Sequence, residues 1–320
     1  MAAGEGERLR PLIQRLRGDT LPKQYVNLIG TRSMLEHTFS RVERVILPEH
    51  LFTVVSQDHL CHDEVKEQLS SRPSGTVVAQ PENRETGPGI LLPLMHVYKR
   101  YPDSAVALFP SDHFVLEEEL FMAYVDLALR VVERHPSYLV VLGMEPRGPE
   151  LEYGYILPGT RVHQLAPLDI HEVLRFIEKP RLQVAREMVQ GGGLWNTMVM
   201  AFRVRTLLEV VRTATPLLYY HFERILEAIG TADEMHVVER AYRHMEAVNF
   251  SRGLLEPLSS EHASRLLSLP VRGVFWSDWG SEARVLSALS NTGHPERCHK
   301  ISENKLFNIS NGQRGAATGS

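Results

Sequence analysis

Near its start the chain reads Ala2-Ala3-Gly4-Glu5-Gly6-Glu7-Arg8-Leu9-Arg10-Pro11, and Leu21-Pro22-Lys23-Gln24 follows one loop later. Closely spaced glycines let backbone N–H groups approach phosphate oxygens, while Arg8 and Lys23 supply charge that backbone dipoles cannot. A bare Gly-x-Gly also suits a tight surface turn with two solvated cations, but the Pro-Lys-Gln step tilts the reading towards a triphosphate. Two rivals fail on spelling. A dinucleotide loop needs a third glycine where Arg8 or Leu9 stands, and a P-loop needs Gly-Lys-Ser/Thr. Farther on, Asp112 follows the apolar run Ala105 to Phe109, and Asp278 follows Gly273 to Phe275, so both carboxylates are expected at strand ends. Alone, each reads as readily as a helix N-cap or an Asx-turn residue, and a helical pattern begins near Leu116, just after Asp112.

The elements that must position these groups alternate between short β-branched runs and longer helical patterns, the mark of a layered α/β sheet. Strands are predicted at Phe52 to Ser56, Thr76 to Ala79, Ala105 to Phe109, Tyr138 to Met144, Val173 to Ile177, Met198 to Phe202 and Gly273 to Phe275. Helices are predicted at Ser33 to Val45, Gly87 to Arg100, Leu116 to Arg134, Leu182 to Gln190 and Val204 to Arg212. In open α/β sheets ligands gather at the carboxyl ends of strands, so the turns there should build the site. No repeat of solenoid length is present. Residues 1–290 read as one domain and 291–320 as an extension, and the Gly, Ser, Asn and Ala composition from about residue 308 predicts disorder.

Beyond the opening loop come Gln80-Pro81-Glu82-Asn83-Arg84-Glu85-Thr86-Gly87, Phe109-Pro110-Ser111-Asp112-His113, Tyr153-Gly154-Tyr155-Ile156, Phe176-Ile177-Glu178-Lys179-Pro180, Leu194-Trp195-Asn196-Thr197 and Trp276-Ser277-Asp278-Trp279-Gly280. In that order the set resembles the sugar-1-phosphate nucleotidyltransferase family, and the Asn83 to Thr86 segment is similar to that of its mannose-1-phosphate guanylyltransferase branch. The resemblance implies a Rossmann-like three-layer αβα sandwich with a mixed, mostly parallel central sheet. It implies that GTP and mannose 1-phosphate, a hexose 1-phosphate, give an NDP-sugar and pyrophosphate. Arg8 and Lys23 would clamp the triphosphate, Ala3, Gly4, Gly6 and Ser111 would line it, and Gln80, Asn83, Thr86 and Gly87 would hold the base. Asp112 and Asp278 would hold Mg²⁺, which prefers one or two carboxylates plus substrate phosphates and water. Lys179 would bind the sugar phosphate, with Glu178, Asn196 and Gly154 around the ring. Each has a plain alternative: a solvated strand end for Glu178 and Lys179, a turn for Asn196, a bend for Gly154.

The chain departs from the family in three places. A buried strand leads into the glycine loop in the family, whereas here Met1 stands three residues before Gly4, so the first strand is expected to be missing. Ser251, in Val248-Asn249-Phe250-Ser251, takes the place of an aspartate near the sugar. Trp279 and Arg284 also depart from the usual spelling after Asp278. These departures keep two alternatives open: a cytidylyl-, uridylyl- or thymidylyltransferase on another sugar phosphate, and a non-catalytic nucleotide-sugar sensor or regulatory subunit.

Composition narrows the classes further. The 320 residues are 43% hydrophobic and 23% charged, and 35 basic against 39 acidic residues leave a net charge of -4. There is no basic field for nucleic acid. Apolar runs are too short to span a bilayer and the start lacks a signal-peptide pattern, so a cytoplasmic protein is expected, with no membrane partner. Cys61 and Cys298 are far apart and suit a reducing compartment. Asp58, His59, Cys61, His62 and Asp63 match no zinc spacing. His113 reads as a solvated or supporting residue rather than a base.

Overall fold

A computed structural model describes residues 1–165, 168–260 and 265–291, which form ten strands and eleven helices. In chain order the strands are β1 (Thr53–Ser56), β2 (Val77–Gln80), β3 (Ala105–Leu108), β4 (Phe114–Val115), β5 (Leu139–Met144), β6 (Gly154–Arg161), β7 (His171–Glu178), β8 (Leu194–Arg203), β9 (Leu266–Val271) and β10 (Trp276–Ser277). The helices are α1 (Arg10–Arg17), α2 (Met34–Val42), α3 (Asp63–Leu69), α4 (Thr86–Arg100), α5 (Glu118–Arg134), α6 (Leu182–Gln190), α7 (Val204–Ala214), α8 (Pro216–Ala228), α9 (Glu234–His244), α10 (Glu256–Ser259) and α11 (Glu282–Asn291). They fall into two compact units. The larger is built from Met1–Gly4, Arg41–Pro110 and Glu117–Val274, the smaller from Glu5–Ser40, Ser111–Leu116 and the segment from Phe275 onward.

In the larger unit a six-stranded sheet runs in the order β3-β8-β5-β9-β7-β6, with β8 also touching β6. β5 reads Leu-Val-Val-Leu-Gly-Met and is buried at every position, as a strand covered on both faces must be. Helix α5 presents Phe121, Met122, Val125, Ala128, Val131 and Val132 inward, one stripe at helical spacing. Helix α4 is buried from Gly87 through Met95, which its Gly-Pro-Gly-Ile-Leu-Leu-Pro-Leu-Met run anticipates. No described helix is long and apolar enough to cross a membrane.

Five sequence expectations need correction. The sheet is mixed but mostly antiparallel: β8 runs against β3, β5 and β6, and β7 against β6 and β9, while β5–β9 is its parallel pair. The separate pair β1–β2 is parallel. Strand β9 has no counterpart among the predicted strands because Pro270 interrupts its run. Its pairing with β7 covers Leu267 and Ser268, and Pro270 faces only Gly143 of β5, so the missing N–H leaves no ladder partner unmet on the β7 side. The strand expected at Gly273 to Phe275 lies at Trp276–Ser277, since Gly273 has φ +74 and breaks the extended run. Helix α5 starts at Glu118 rather than Leu116, which removes Asp112 from cap distance. Strand β6 also lacks a predicted counterpart. The predicted tail from about residue 308, and Cys298, lie outside the described residues. At the chain's start Ala2 makes a single parallel bridge with Val55, donating its N–H to the Val54 carbonyl at 2.8 Å, and the Met1 amino group donates to the Phe109 carbonyl at 2.7 Å.

Candidate functional site

The smaller unit gathers Arg8, Lys23, Asp112 and Asp278, and its short strands explain how. β4 and β10 pair antiparallel with Phe114 opposite Ser277 and Val115 opposite Trp276. Asp278 and His113 are the next residues of the two segments beyond that register. The ladder is pinned by side chains. Phe114 stacks on Trp279 at 5.2 Å with 10° between planes, and the Trp276 indole N–H donates to His113 Nδ1 at 3.2 Å. That bond leaves the proton of a neutral His113 ring on Nε2, 3.9 Å from Asp112 Oδ1. His113 thus supports the ladder through its bond to Trp276.

Lys23 joins the two aspartate segments. Its ammonium lies 2.9 Å from Asp112 Oδ2 and donates to the carbonyls of Asp278 at 2.8 Å and Trp279 at 3.3 Å, which engages all three N–H bonds. Lys23 is buried, and Gly6 lies against it: with φ +61, a Cβ on Gly6 would sit 3.1 Å from Lys23 Cγ and 3.2 Å from its backbone nitrogen. A side chain there would be strained twice over. Burial pushes the Asp112 carboxyl up, but Lys23 and His113 outweigh it and hold the group below the usual carboxylate range. Asp278 takes different partners. Arg284 Nη1 donates to Oδ1 at 2.9 Å and Oδ2 at 3.1 Å, the Gly280 N–H donates to Oδ1 at 2.9 Å, and Arg8 Nη2 lies 3.7 Å from Oδ2. Ser111 is buried, and its carbonyl accepts from Thr38 Oγ1 at 3.4 Å.

The larger unit holds Gly154, Glu178, Lys179 and Asn196. Gly154 and Glu178 are opposite residues of β6 and β7. A Cβ on Gly154 would lie 2.7 Å from Glu178 Oε2 and 3.3 Å from Asn196 Cβ, so the expected sugar-binding group does converge. Lys179, at φ +49, places its ammonium 3.9 Å from Glu178 Oε1 and is 43% exposed at the side chain. Burial pushes the Glu178 carboxyl up; Lys179, Ser251 and Arg252 oppose that shift without cancelling it. Sequence reading missed Met198 and Glu256. Met198, at φ +56, donates its N–H to Asn196 Oδ1 at 3.0 Å, and its sulfur accepts from Asn196 Nδ2 at 3.2 Å and Ser251 Oγ at 3.3 Å. Glu256 accepts the Glu178 N–H at 2.6 Å. No periodicity signals either residue. Positive φ at a methionine inside a strand is uncommon and is the kind of strain that collects at functional sites.

Between β2 and α4 lies the expected base-binding loop, latched to residues 248–250. Asn83 Oδ1 accepts the Glu85 N–H at 3.0 Å, Thr86 Oγ1 accepts the Phe250 N–H at 2.8 Å, and the Gly87 N–H donates to the Val248 carbonyl at 2.7 Å. A Cβ on Gly87 would lie 2.6 Å from that carbonyl. Glu85 carries φ 68. Gln80 is 2% exposed and its Oε1 has no hydrogen-bond partner among the described residues, a buried acceptor left unmet beside Gly89. Ala3 is buried and Gly4 exposed at the start of the same unit.

Comparison with known proteins shows the family to which the chain belongs. Residues 1–293 match the family model described as nucleotidyl transferase. The chain is 31% identical over 217 residues to the xanthan biosynthesis protein XanB of Xanthomonas campestris pv. campestris, covering 68% of this chain and 44% of that protein. It is 27% identical over 303 residues to the mannose-1-phosphate guanylyltransferase of Escherichia coli K12, covering 93% of this chain and 61% of that one. The chain therefore spans about half the length of these relatives. A crystal structure from Thermus thermophilus, described as a mannose-1-phosphate geranyltransferase, superposes with TM-score 0.70 and 27% identity over 88% of this chain and 75% of that one. A UDP-glucose pyrophosphorylase complexed with UDP-glucose shares the fold, at TM-score 0.54 and 14% identity over 92% of this chain and 97% of that one.

Proposed function

Because the chain belongs to the nucleotidyl transferase family, we propose that it joins a nucleoside triphosphate to a hexose 1-phosphate and releases pyrophosphate, with GTP and mannose 1-phosphate as the pair. The observation that carries this reading is the Lys23 ammonium, which reaches the Asp112 carboxylate and the Asp278 backbone together. The reaction brings two anions into line, so neutralising charge and fixing geometry are its main demands. A phosphate oxygen of the sugar attacks the α-phosphorus, the bond from that phosphorus to the oxygen bridging to the β-phosphate breaks, and pyrophosphate leaves.

Asp112 and Asp278 fit a divalent cation by their donor chemistry, hard carboxylate oxygens that must be completed by phosphate and water. Bound there, Mg²⁺ would supply positive charge against the phosphates. Arg8 and Lys23 neutralise the triphosphate, which Ala3, Gly4, Gly6 and Ser111 line with backbone. Gln80, Asn83, Thr86 and Gly87 hold the base, and the unmet Gln80 carbonyl suits a purine N–H. Lys179 receives the sugar phosphate. Glu178 and Asn196 bond ring hydroxyls in the space that Gly154 leaves open. On this reading residues 1–290 form the catalytic domain, a Rossmann-like three-layer sandwich, and the protein works in the cytoplasm. The names of the Escherichia coli relative and the Thermus thermophilus structure support mannose 1-phosphate.

A pyrophosphate-release assay with four nucleoside triphosphates, a hexose 1-phosphate panel and Mg²⁺ tests the proposal. GTP with mannose 1-phosphate is expected to turn over fastest. Preference for another base would move the protein to a cytidylyl-, uridylyl- or thymidylyltransferase. A second reading, a sensor that binds nucleotide sugars without turnover, is favoured by the guanidinium seated on Asp278. Tight binding of a GDP-sugar with no pyrophosphate release would establish it.

A further inference from the structure

Both oxygens of Asp278 already face a guanidinium. Arg284 Nη1 lies 2.9 and 3.1 Å from them, and the pair is sheltered, with side chains 16% and 13% exposed. Arg8 approaches the same carboxylate from a more exposed position, at 3.7 Å and 49% exposure. Gly280 shows how tightly these groups crowd: a Cβ built there would lie 2.5 Å from Asp278 Oδ2, 2.8 Å from Arg284 Nη1 and 2.9 Å from Arg8 Nη2. The backbone of Arg284 is fixed in the first turn of α11, where its N–H donates to Ser281 Oγ at 3.4 Å. Only the guanidinium can leave. Asp112 differs, because its cation is Lys23, which two carbonyls hold in place.

We propose that Arg284 is a positioning residue that occupies Asp278 in the nucleotide-free protein, so that a divalent cation must displace its guanidinium to reach that carboxylate. The proposal rests on the reading of Asp278 as a metal ligand. A cation brought against Asp278 meets a positive charge within a few ångströms in a partly desolvated site, where repulsion is weakly screened. Binding of the free metal is therefore held weak. A nucleotide triphosphate changes the balance, because its oxygens offer the displaced guanidinium an alternative anionic partner of matching geometry. The metal then binds together with the nucleotide rather than ahead of it.

The test measures Mn²⁺ binding to the full chain without nucleotide, by calorimetry and by the electron paramagnetic resonance of the free ion. Arg284→Gln is expected to bind Mn²⁺ about tenfold tighter than the parent, since a unit charge is removed beside the ligand. Asp278→Asn should weaken binding, and adding it to Arg284→Gln should abolish the gain. Arg284→Met, equally uncharged and of similar length, gives the same comparison if the Gln variant does not fold. Unchanged affinity in the uncharged Arg284 variants, with Asp278→Asn still weakening binding, would overturn the proposal and leave the metal reading standing. Affinity indifferent to Asp278→Asn would overturn both.

Discussion

Two sheltered carboxyl groups, Asp112 in the smaller unit and Glu178 in the larger, are pushed in opposite directions by similar surroundings. Burial raises both, and each has a lysine nearby. The difference is distance and fixation. Lys23 is buried, tethered by two carbonyls and 2.9 Å from Asp112, whereas Lys179 is half exposed and 3.9 Å from Glu178. A tethered cation at contact outweighs desolvation, and a looser one does not. One region holds its carboxylate against a fixed charge, while in the other burial dominates and favours the protonated carboxyl.

The sharpest way to break this comparison is to remove the charge from the smaller unit. Asp112→Asn and Asp278→Asn are each expected to lower turnover by roughly 10²- to 10⁴-fold, and the double variant should be little worse than either, because residues acting as a unit are not additive. Steady-state kinetics normalised to folded protein decide the matter. Independent structural residues would give additive losses of stability with turnover per folded molecule preserved.

A smaller effect is expected from Gly154→Ala. The added methyl would lie 2.7 Å from Glu178 Oε2 and must push that carboxyl aside, costing about 1–3 kcal/mol of stability as overpacking. The KM for the hexose 1-phosphate should rise about tenfold or more, with the KM for the nucleotide little changed. A rise in both together would mean that Gly154 shapes the fold rather than the sugar's place.

The smallest effect, and the most direct on the contrast itself, is the pH dependence of melting. Glu178 has a folded pKa above its ordinary 4.5, so the folded state holds the proton more tightly and stability falls as pH rises from 4.5 through the raised value. Asp112 has a folded pKa below its ordinary 3.8, so its contribution is present above 3.8 and is lost as pH falls through the lowered value. Melting curves from about pH 2 to 8 should therefore lose slope on the alkaline side in Glu178→Gln and on the acid side in Asp112→Asn. Identical profiles in the two variants would erase the distinction.

Much of this was legible in the sequence because the signals were local. Leu182–Gln190 has the bounds that its periodicity predicts, and the buried runs of β5 and α4 announce themselves. The grouping of Gly154, Glu178 and Asn196 was anticipated by resemblance, and the facing strands β6, β7 and β8 explain it. Other features had no local signal. β4 and β10 are two residues long, too short for any periodicity, yet the segments flanking them carry Asp112 and Asp278, which Lys23 bridges. The mostly parallel sheet was expected from the family resemblance, and nothing local in the sequence reveals that β8 runs against three neighbours. The pairing of Arg284 with Asp278 depends on a helical turn bringing position 284 back to 278, and the departure at Arg284 was visible while its target was not.

The smaller unit is assembled from Glu5–Ser40, Ser111–Leu116 and the segment from Phe275 onward, which has a consequence for how the protein is made. On a ribosome adding about 5–20 residues per second, the first of these segments emerges roughly 10–50 s before the last. During that interval Lys23 has no Asp278 or Trp279 carbonyl to bind, and Phe114 has no Trp279 to stack upon. The larger unit can gather most of its strands while synthesis proceeds. The amino-terminal segment must wait, exposed to the chaperones that attend nascent chains, until the segment from Phe275 arrives to complete the unit.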